Sequence, residues 1–512
     1  MKLTSLLSIL IITAIGQGLA HAGPQNYAID LPDEFLGGVP ESRVYIAPGG
    51  FSWSDYFSSH KELKLMRLGI QLGGVNPFSL NSNLPMLPAS TEKLLTAGAA
   101  LKYLGSQFRF QNSFHADLDS SHARLSGVHF KVSGDPTWAQ EEYVGSDPAH
   151  DNQVFEPRLN QLLDSMVSRG IKEVVGPIEV ESLHPELDQL PRPAGWKASW
   201  NLECMAMMQT SFQANSNCGM VQISSAIKGK WITRGVAVPL LLKLRRSKVG
   251  RTAIQVIPHF DSSGRIQSYE FTGLFGMSSV YYALPVHSGK EWLVNLFKLM
   301  LKDRGIAYRE TVTDSAPSSA GLASYDVDLS SDVLVRVLAT AVQKSINGVM
   351  DRVFAELAFQ LGKSAEDVLR DYLQSLIQDG ALMQGIEIKD GCGLDTRDQM
   401  RADTLYGFLL KVESESYFQD FFSTLAVAGQ SGTLQRRTTL VSSPYTNLRI
   451  FAKTGTLTGI NNLAGYFQIP GQKVEPFVVY TDSALSATQA RLNLDQIVVN
   501  FAAQNTPQNP RF

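Results

Sequence analysis

The chain is short of the features that would decide its chemistry at a glance. Only three of its 512 residues are cysteine, Cys204, Cys218 and Cys392, so disulfides cannot be what holds a protein of this length together. An oxidising compartment would permit one bridge; Cys204 and Cys218 are the pair close in sequence, and Cys392 is left over. No C-x-x-C or H-E-x-x-H occurs and the nine histidines are scattered, so neither a metal site nor a cofactor is expected. A formal charge of −3 with no run of Lys or Arg leaves no electrostatic footprint for nucleic acid. Past the N-terminus no stretch reaches the ~20 apolar residues that span a bilayer, and there is no internal repeat. What remains, 44% hydrophobic and 18% charged, is the composition of a soluble globular protein with ample core. Its length suggests about three domains.

The N-terminus carries an address. Met1-Lys2 precedes an apolar run from Leu6 to Ile15, followed by Ala20-His21-Ala22 before Gly23-Pro24. A charged start, a short apolar stretch and a small-x-small site make a signal peptide over residues 1–22. No cysteine follows to accept lipid. The expectation is export to the periplasm as a soluble protein without a stable membrane anchor.

From Thr91, residues Leu94, Ala97, Leu101 and Leu104 fall at helical spacing and Gly105 stands where a cap would, predicting a buried helix from Ser90 to Leu104. Short alternating runs punctuated by turns follow, with one helical interlude near 157–169, and read as strands. Helical pattern returns around Ser288, and two more helices follow a Ser/Ala/Gly-rich loop at 314–324. Late in the chain, two apolar alternating stretches flank Pro470-Gly471, a hairpin signal, before a closing helix from about 487 to 503. The order predicts an α+β domain interrupted by a large β-rich insertion: residues 23–110 as its first part, 111–280 as the insert and 281–512 as its second part.

Within this order lies a set of polar motifs. S-x-x-K occurs at Ser90/Lys93, Ser58/Lys61 and Ser225/Lys228, and each alone is weak, since Ser caps helices and Lys favours them. Only Ser90 opens a long apolar helix. Ser345-Ile346-Asn347 lies at a junction between two predicted helices, and Lys453-Thr454-Gly455-Thr456, the chain's one K-T-G, lies on a predicted strand. A serine hydroxyl is a poor nucleophile until a neighbour takes its proton, and a lysine one helical turn away reaches it from the same face. That lysine must be neutral, which burial, the helix N-terminus and the charge of Lys453 would all favour. Ser345 can relay a proton to a leaving amine, Asn347 can hold an amide, and Lys453 with Thr454 can bind a carboxylate. Gly455 lets the strand backbone approach a bound peptide. The backbone N–H groups of Ser90 and Thr456 are natural oxyanion donors.

The ordered set S-x-x-K, S-x-N, K-T-G belongs to penicillin-binding proteins and class A β-lactamases. The stretches "SGDPTW" (133–138), "KDGCGL" (389–394) and "AGQSGTLQRR" (428–437), with the large insert, resemble the penicillin-binding protein 4 or DacB-type D-alanyl-D-alanine carboxypeptidase/endopeptidases, the S13 peptidases. The resemblance covers nearly the whole mature chain. It implies a penicillin-binding-protein/serine β-lactamase-like fold, in which helices pack on an antiparallel sheet, and a serine peptidase of peptidoglycan stem peptides that β-lactams acylate covalently. Catalytic roles then fall to Ser90, Lys93, Ser345 and Asn347, and substrate binding to Lys453, Thr454, Gly455 and Thr456. The family's cysteine pair at similar spacing implies a Cys204–Cys218 bridge with Cys392 reduced. The chain departs from the family where D-G-S-G-L-S-R is Asp390-Gly391-Cys392-Gly393-Leu394-Asp395-Thr396-Arg397, displacing the arginine by one. Ile346 stands where Asp is common, and G-W-x-W-x-D is matched by Gly195-Trp196 and then Trp200-Asn201-Leu202-Glu203, so that Glu203 is the candidate for the missing acid. A β-lactamase would need a deacylating base, and no class A glutamate loop is evident; a catalytically silent peptidoglycan-binding module would not need both Ser90 and Lys93.

Overall fold

The computed structural model describes residues 52–505 other than 75, 120–122, 139–156, 215–216, 226–230, 236–238, 277–278, 288, 312–321, 442–448 and 469–472. The signal-peptide segment lies outside the described residues.

The K-T-G motif sits in a six-stranded, wholly antiparallel sheet built from both ends of the chain: β1 (Met66–Leu72), β2 (Phe78–Leu80), β3 (Ala426–Val427), β4 (Arg449–Leu457), β5 (Ile460–Gln468) and β6 (Val474–Ser483), in the spatial order β3-β4-β5-β6-β1-β2. The expected late hairpin is therefore a three-strand meander. The overlooked turn is Thr458-Gly459, where Gly459 adopts φ +82°, a left-handed conformation that glycine reaches without strain. The turn is hard to read because β5 and β6 are buried on both faces. Leu463, Phe467, Phe477 and Val479 pack towards the closing helix, while Ala464, Tyr466, Val478 and Tyr480 pack towards a helical layer, and a polar face never interrupts the run.

That helical layer surrounds α1 (Lys93–Tyr103), in which every residue from Lys93 to Leu101 is buried. Around it stand α2 (Leu334–Lys344), α3 (Asn347–Leu361), α4 (Ala365–Leu376) and α5 (Ala402–Val412), while α6 (Ala487–Asn505) covers the opposite face of the sheet. Gly105 closes α1 as expected, at φ +82° with its N–H on the Ala100 carbonyl. The start of α1 differs from expectation: Ala89–Glu92 forms a separate 3-10 turn, so Ser90 lies within that turn and makes no side-chain cap.

Between α1 and α2 the chain forms a second body with its own apolar core, made of three sheets and the helices Arg158–Ser168 and Gly289–Asp303. It runs further than the expected boundary at 280. Strand Ala323–Asp328 pairs with Ser113–Asp119, Ala307–Arg309 pairs with Glu173–Val175, and helix Gly289–Asp303 fills the same core through Trp292, Leu296, Phe297 and Met300. Cys204 and Cys218 are joined in a disulfide and Cys392 is a buried free thiol, as the resemblance implied. Arg352 on α3, fully buried, ties the two bodies together by donating to the carbonyls of Ser133 and Gly134 at the head of "SGDPTW". That signature is structural here. Asp135 accepts from Asn112, from the backbone and hydroxyl of Thr137 and from the Trp138 indole, fixing the junction.

Candidate active site

Ser90 is held where its backbone has little choice. Ala89, preceding it, is fully buried with φ +47°, a left-handed conformation that costs a non-glycine residue energy and is kept only by its surroundings. The Asn462 amide on β5 donates to the carbonyls of Leu87 and Pro88, and the Thr91 hydroxyl donates to Pro88 as well. Gly393 passes so close that a side chain there would meet the Ala89 carbonyl at 2.0 Å. Gly455 serves the same packing: a Cβ would meet the Pro88 carbonyl at 2.7 Å and the Thr91 methyl at 3.2 Å. What needs its missing side chain is the serine turn, where the sequence suggested a bound peptide.

Lys93 Nζ, with the residue fully buried, lies 2.8 Å from Ser90 Oγ, 2.7 Å from Asn347 Oδ1 and 2.7 Å from the Cys392 carbonyl. Of these three partners only Ser90 has a proton to give. A neutral amine would spend two N–H groups on Asn347 and Cys392 and turn its lone pair to the Ser90 hydroxyl. Burial lowers the Lys93 pKa from the usual lysine value, while Cys392, Asp351, Asp390 and Glu92 pull it back up. Burial, the first of the three influences the sequence suggested, is thus the cause that favours the neutral form.

Across the cleft, Ser345 ends α2 in the left-handed conformation, φ +61°, a position where glycine is usual, with Ile346 N–H closing the cap on Ala341. This turn aims the Ser345 hydroxyl at Lys453, whose Nζ is 2.9 Å away and also donates to the Thr454 carbonyl. Asn347 is held from behind, its amide donating to the Met205 carbonyl of the insert. The Thr454 hydroxyl pairs with Thr433, and Thr456 is exposed beyond it. β3 pairs with β4 only at Phe451 and Ala452, and among the described residues no strand covers that edge from Lys453 onward. Hydrogen bonds and close approaches thus bring Ser90, Lys93, Ser345, Asn347, Lys453, Thr454 and Gly455 together, with Thr456 next on the same strand. Missed were Thr433, Asn462 and the carbonyls of Cys392 and Met205, which are set by tertiary approach and carry no motif.

One rejected serine is accounted for locally: Ser58 donates to the Asp55 carbonyl within its own short helix. Lys228 lies outside the described residues.

The description D-Ala-D-Ala carboxypeptidase 3 (S13) family matches residues 77–504. The chain belongs to that family. As an S13 member it is a serine-type D-Ala-D-Ala peptidase. Among curated relatives, D-alanyl-D-alanine carboxypeptidase DacB of Haemophilus influenzae is 23% identical over 419 residues, covering 77% of this chain and 80% of its own. A D-alanyl-D-alanine carboxypeptidase of Actinomadura is 22% identical over 455 residues, covering 85% and 80%. The crystal structure of penicillin binding protein 4 (dacB) from H. influenzae superposes with a TM-score of 0.61 at 20% identity, covering 88% of this chain and 98% of that one. The fold is shared.

Against that S13 background the departures have local explanations. Asp395 accepts Gly195 N–H from the insert and forms a two-point ion pair with Arg397, whose side chain stays half exposed. Asp390 binds the insert too, taking the Trp196 indole N–H together with the backbone N–H groups of Cys392, Gly393, Leu394 and Asp395. The segment after Asp390 therefore docks the insert beside the cleft. Asp351, Asp390 and Cys392 bring ligand-type atoms within 4.8 Å of one another, but N–H donors engage both Asp390 oxygens, so the trio is a hydrogen-bonded cluster. Glu203 is half-buried, and burial raises its pKa.

Proposed function

We propose that the mature protein is an exported, periplasmic enzyme of peptidoglycan that removes terminal D-Ala from stem peptides and cleaves D-Ala–diaminopimelate cross-links through an acyl-enzyme, and that β-lactams acylate it covalently. The observation that carries this reading is the pairing of two buried lysines with two serines: Lys93 Nζ at 2.8 Å from Ser90 Oγ, and Lys453 Nζ at 2.9 Å from Ser345 Oγ. Neutral Lys93 takes the Ser90 proton as Oγ attacks the carbonyl of the penultimate D-Ala. The backbone N–H groups of Ser90 and Thr456 face the developing oxyanion. Ser345, polarised by Lys453, hands its proton to the leaving amine while the C–N bond breaks and is reprotonated by the proton that Lys93 took, and Asn347 holds the substrate amide. Lys453, Thr454 and Thr456 receive the carboxylate that stem peptides and penicillins both carry, and the open β4 edge accepts the peptide backbone as an added strand. Water then attacks the ester with Lys93 taking its proton, and Lys93 returns that proton to Ser90 Oγ as the ester C–O bond breaks.

Support for export is the N-terminal pattern of charge, apolar run and Ala-His-Ala, together with the Cys204–Cys218 bridge, which an oxidising compartment maintains. Among the described residues no helix is long and apolar enough to cross a membrane. Purified peptidoglycan fragments incubated with the mature protein and analysed by mass spectrometry test the activity. Loss of one alanine from pentapeptides and resolution of cross-linked dimers are expected; fragments left unchanged by a folded protein contradict the reading.

A further inference from the structure

Glu92 directly precedes the base in sequence and is 1% exposed. Neither of its carboxyl oxygens finds a donor, and Asp398, also 1% exposed, has its Oδ2 in the same condition while Oδ1 accepts Lys389 N–H. The two carboxyls meet each other. Two carboxylates in contact without a donor would repel in a medium that scarcely screens them, and each buried oxygen would lack a partner. One proton between them removes the repulsion and pairs one oxygen of each acid, because one donates its O–H and the other accepts it; a single Glu92 oxygen is left without a donor.

We propose that Glu92 and Asp398 share a single proton, and that the one negative charge they retain beside Lys93 helps set, with Asp351 and Asp390, when that lysine becomes the neutral base. They are positioning residues, since neither touches the reacting atoms, and the proposal rests on Lys93 being the base. The surroundings agree. Glu92 is faced by Asp398, Asp390, Lys93 and Tyr480; Asp398 is faced by Asp390, Asp395, Arg397 and Glu92; Lys93 is faced by Cys392, Asp351, Asp390 and Glu92. Burial, reinforced by neighbouring acids, raises both Glu92 and Asp398 above the carboxylate range, which favours a proton held between the two at neutral pH.

The sign follows from charge. A negative neighbour favours the ammonium form of Lys93, so removing it lets Lys93 become neutral at lower pH. The test is the pH profile of acylation by a fluorescent penicillin. In Glu92→Gln/Asp398→Asn, where amides replace both acids, the acidic limb is expected to move about one to two pH units lower. In Asp398→Asn alone, one charge stays on Glu92 and the limb holds. A double variant that folds and keeps the wild-type limb overturns the proposal. Should it fail to fold, infrared spectra of the wild type decide, because a shared proton requires a protonated-carboxyl band at neutral pH and its absence refutes the pair. Lys93→Ala in the same assay separates the two readings: near-normal acylation sinks the base assignment, whereas lost acylation beside an unmoved limb in the double variant sinks only the acid pair.

Discussion

Asp135 and the Glu92–Asp398 pair are acids buried to a similar degree, and the protein treats them in opposite ways. Every face of Asp135 meets a donor: the Asn112 amide, the Thr137 backbone and hydroxyl, the Trp138 indole, and Arg158 at 3.8 Å. In the pair behind Lys93, three of the four carboxyl oxygens have none. A fully donated carboxylate is a rivet, fixing one geometry at the junction of insert and core. An underdonated pair holds charge that can respond to pH, and stability is sacrificed for it beside the group whose protonation the chemistry uses.

The largest effect expected from perturbing this contrast is on the catalytic side. Lys93→Ala should slow acylation by about 10³-fold or more, since the base is lost, as read by the rate of fluorescent penicillin labelling. On the structural side, Asp135→Ala strands the donors of Asn112, Thr137, Trp138 and Arg158, and should cost about 3 kcal/mol in denaturant unfolding while the folded fraction acylates normally. If the reverse held, with Asp135→Ala inactive but stable, the assignment of rivet and tuned base would be inverted. Lys453→Gln should be milder, slowing acylation about tenfold to a hundredfold and erasing the preference for a free-acid penicillin over its methyl ester; a retained preference would mean that the carboxylate binds elsewhere. Smallest is the response of Cys392. Burial pushes its thiol well above the usual value, so it should resist alkylation in the native protein and react as one thiol per chain once unfolded without reductant. Three thiols at that stage would dispose of the Cys204–Cys218 bridge.

The motifs that meet in the cleft are legible in the sequence because each is local: Ser90 and Lys93 are one turn apart, Ser345 and Asn347 share a junction, and K-T-G occurs once. The α+β class, the central helix and its glycine cap could be read from periodicity. The rest depends on approach between distant segments. The Cys392 carbonyl reaches Lys93 across 299 residues, and nothing in Glu92 announces that Asp398 will meet it. In sequence the meander looks like a hairpin because doubly buried strands hide the Thr458-Gly459 turn in an apolar run. The insert was ended too early because Ala323–Asp328, which follows a Ser/Ala/Gly-rich loop, pairs back to Ser113–Asp119.

The central claim is that Ser90 is the nucleophile that Lys93 deprotonates. The direct measurement is intact-protein and peptide mass spectrometry after incubation with benzylpenicillin, on the wild type and on Ser90→Ala, with folding checked by circular dichroism. The account predicts one penicilloyl adduct, confined to the peptide containing Ser90, and none on the folded variant. An adduct that persists on Ser90→Ala, or that maps to another serine in the wild type, would contradict it.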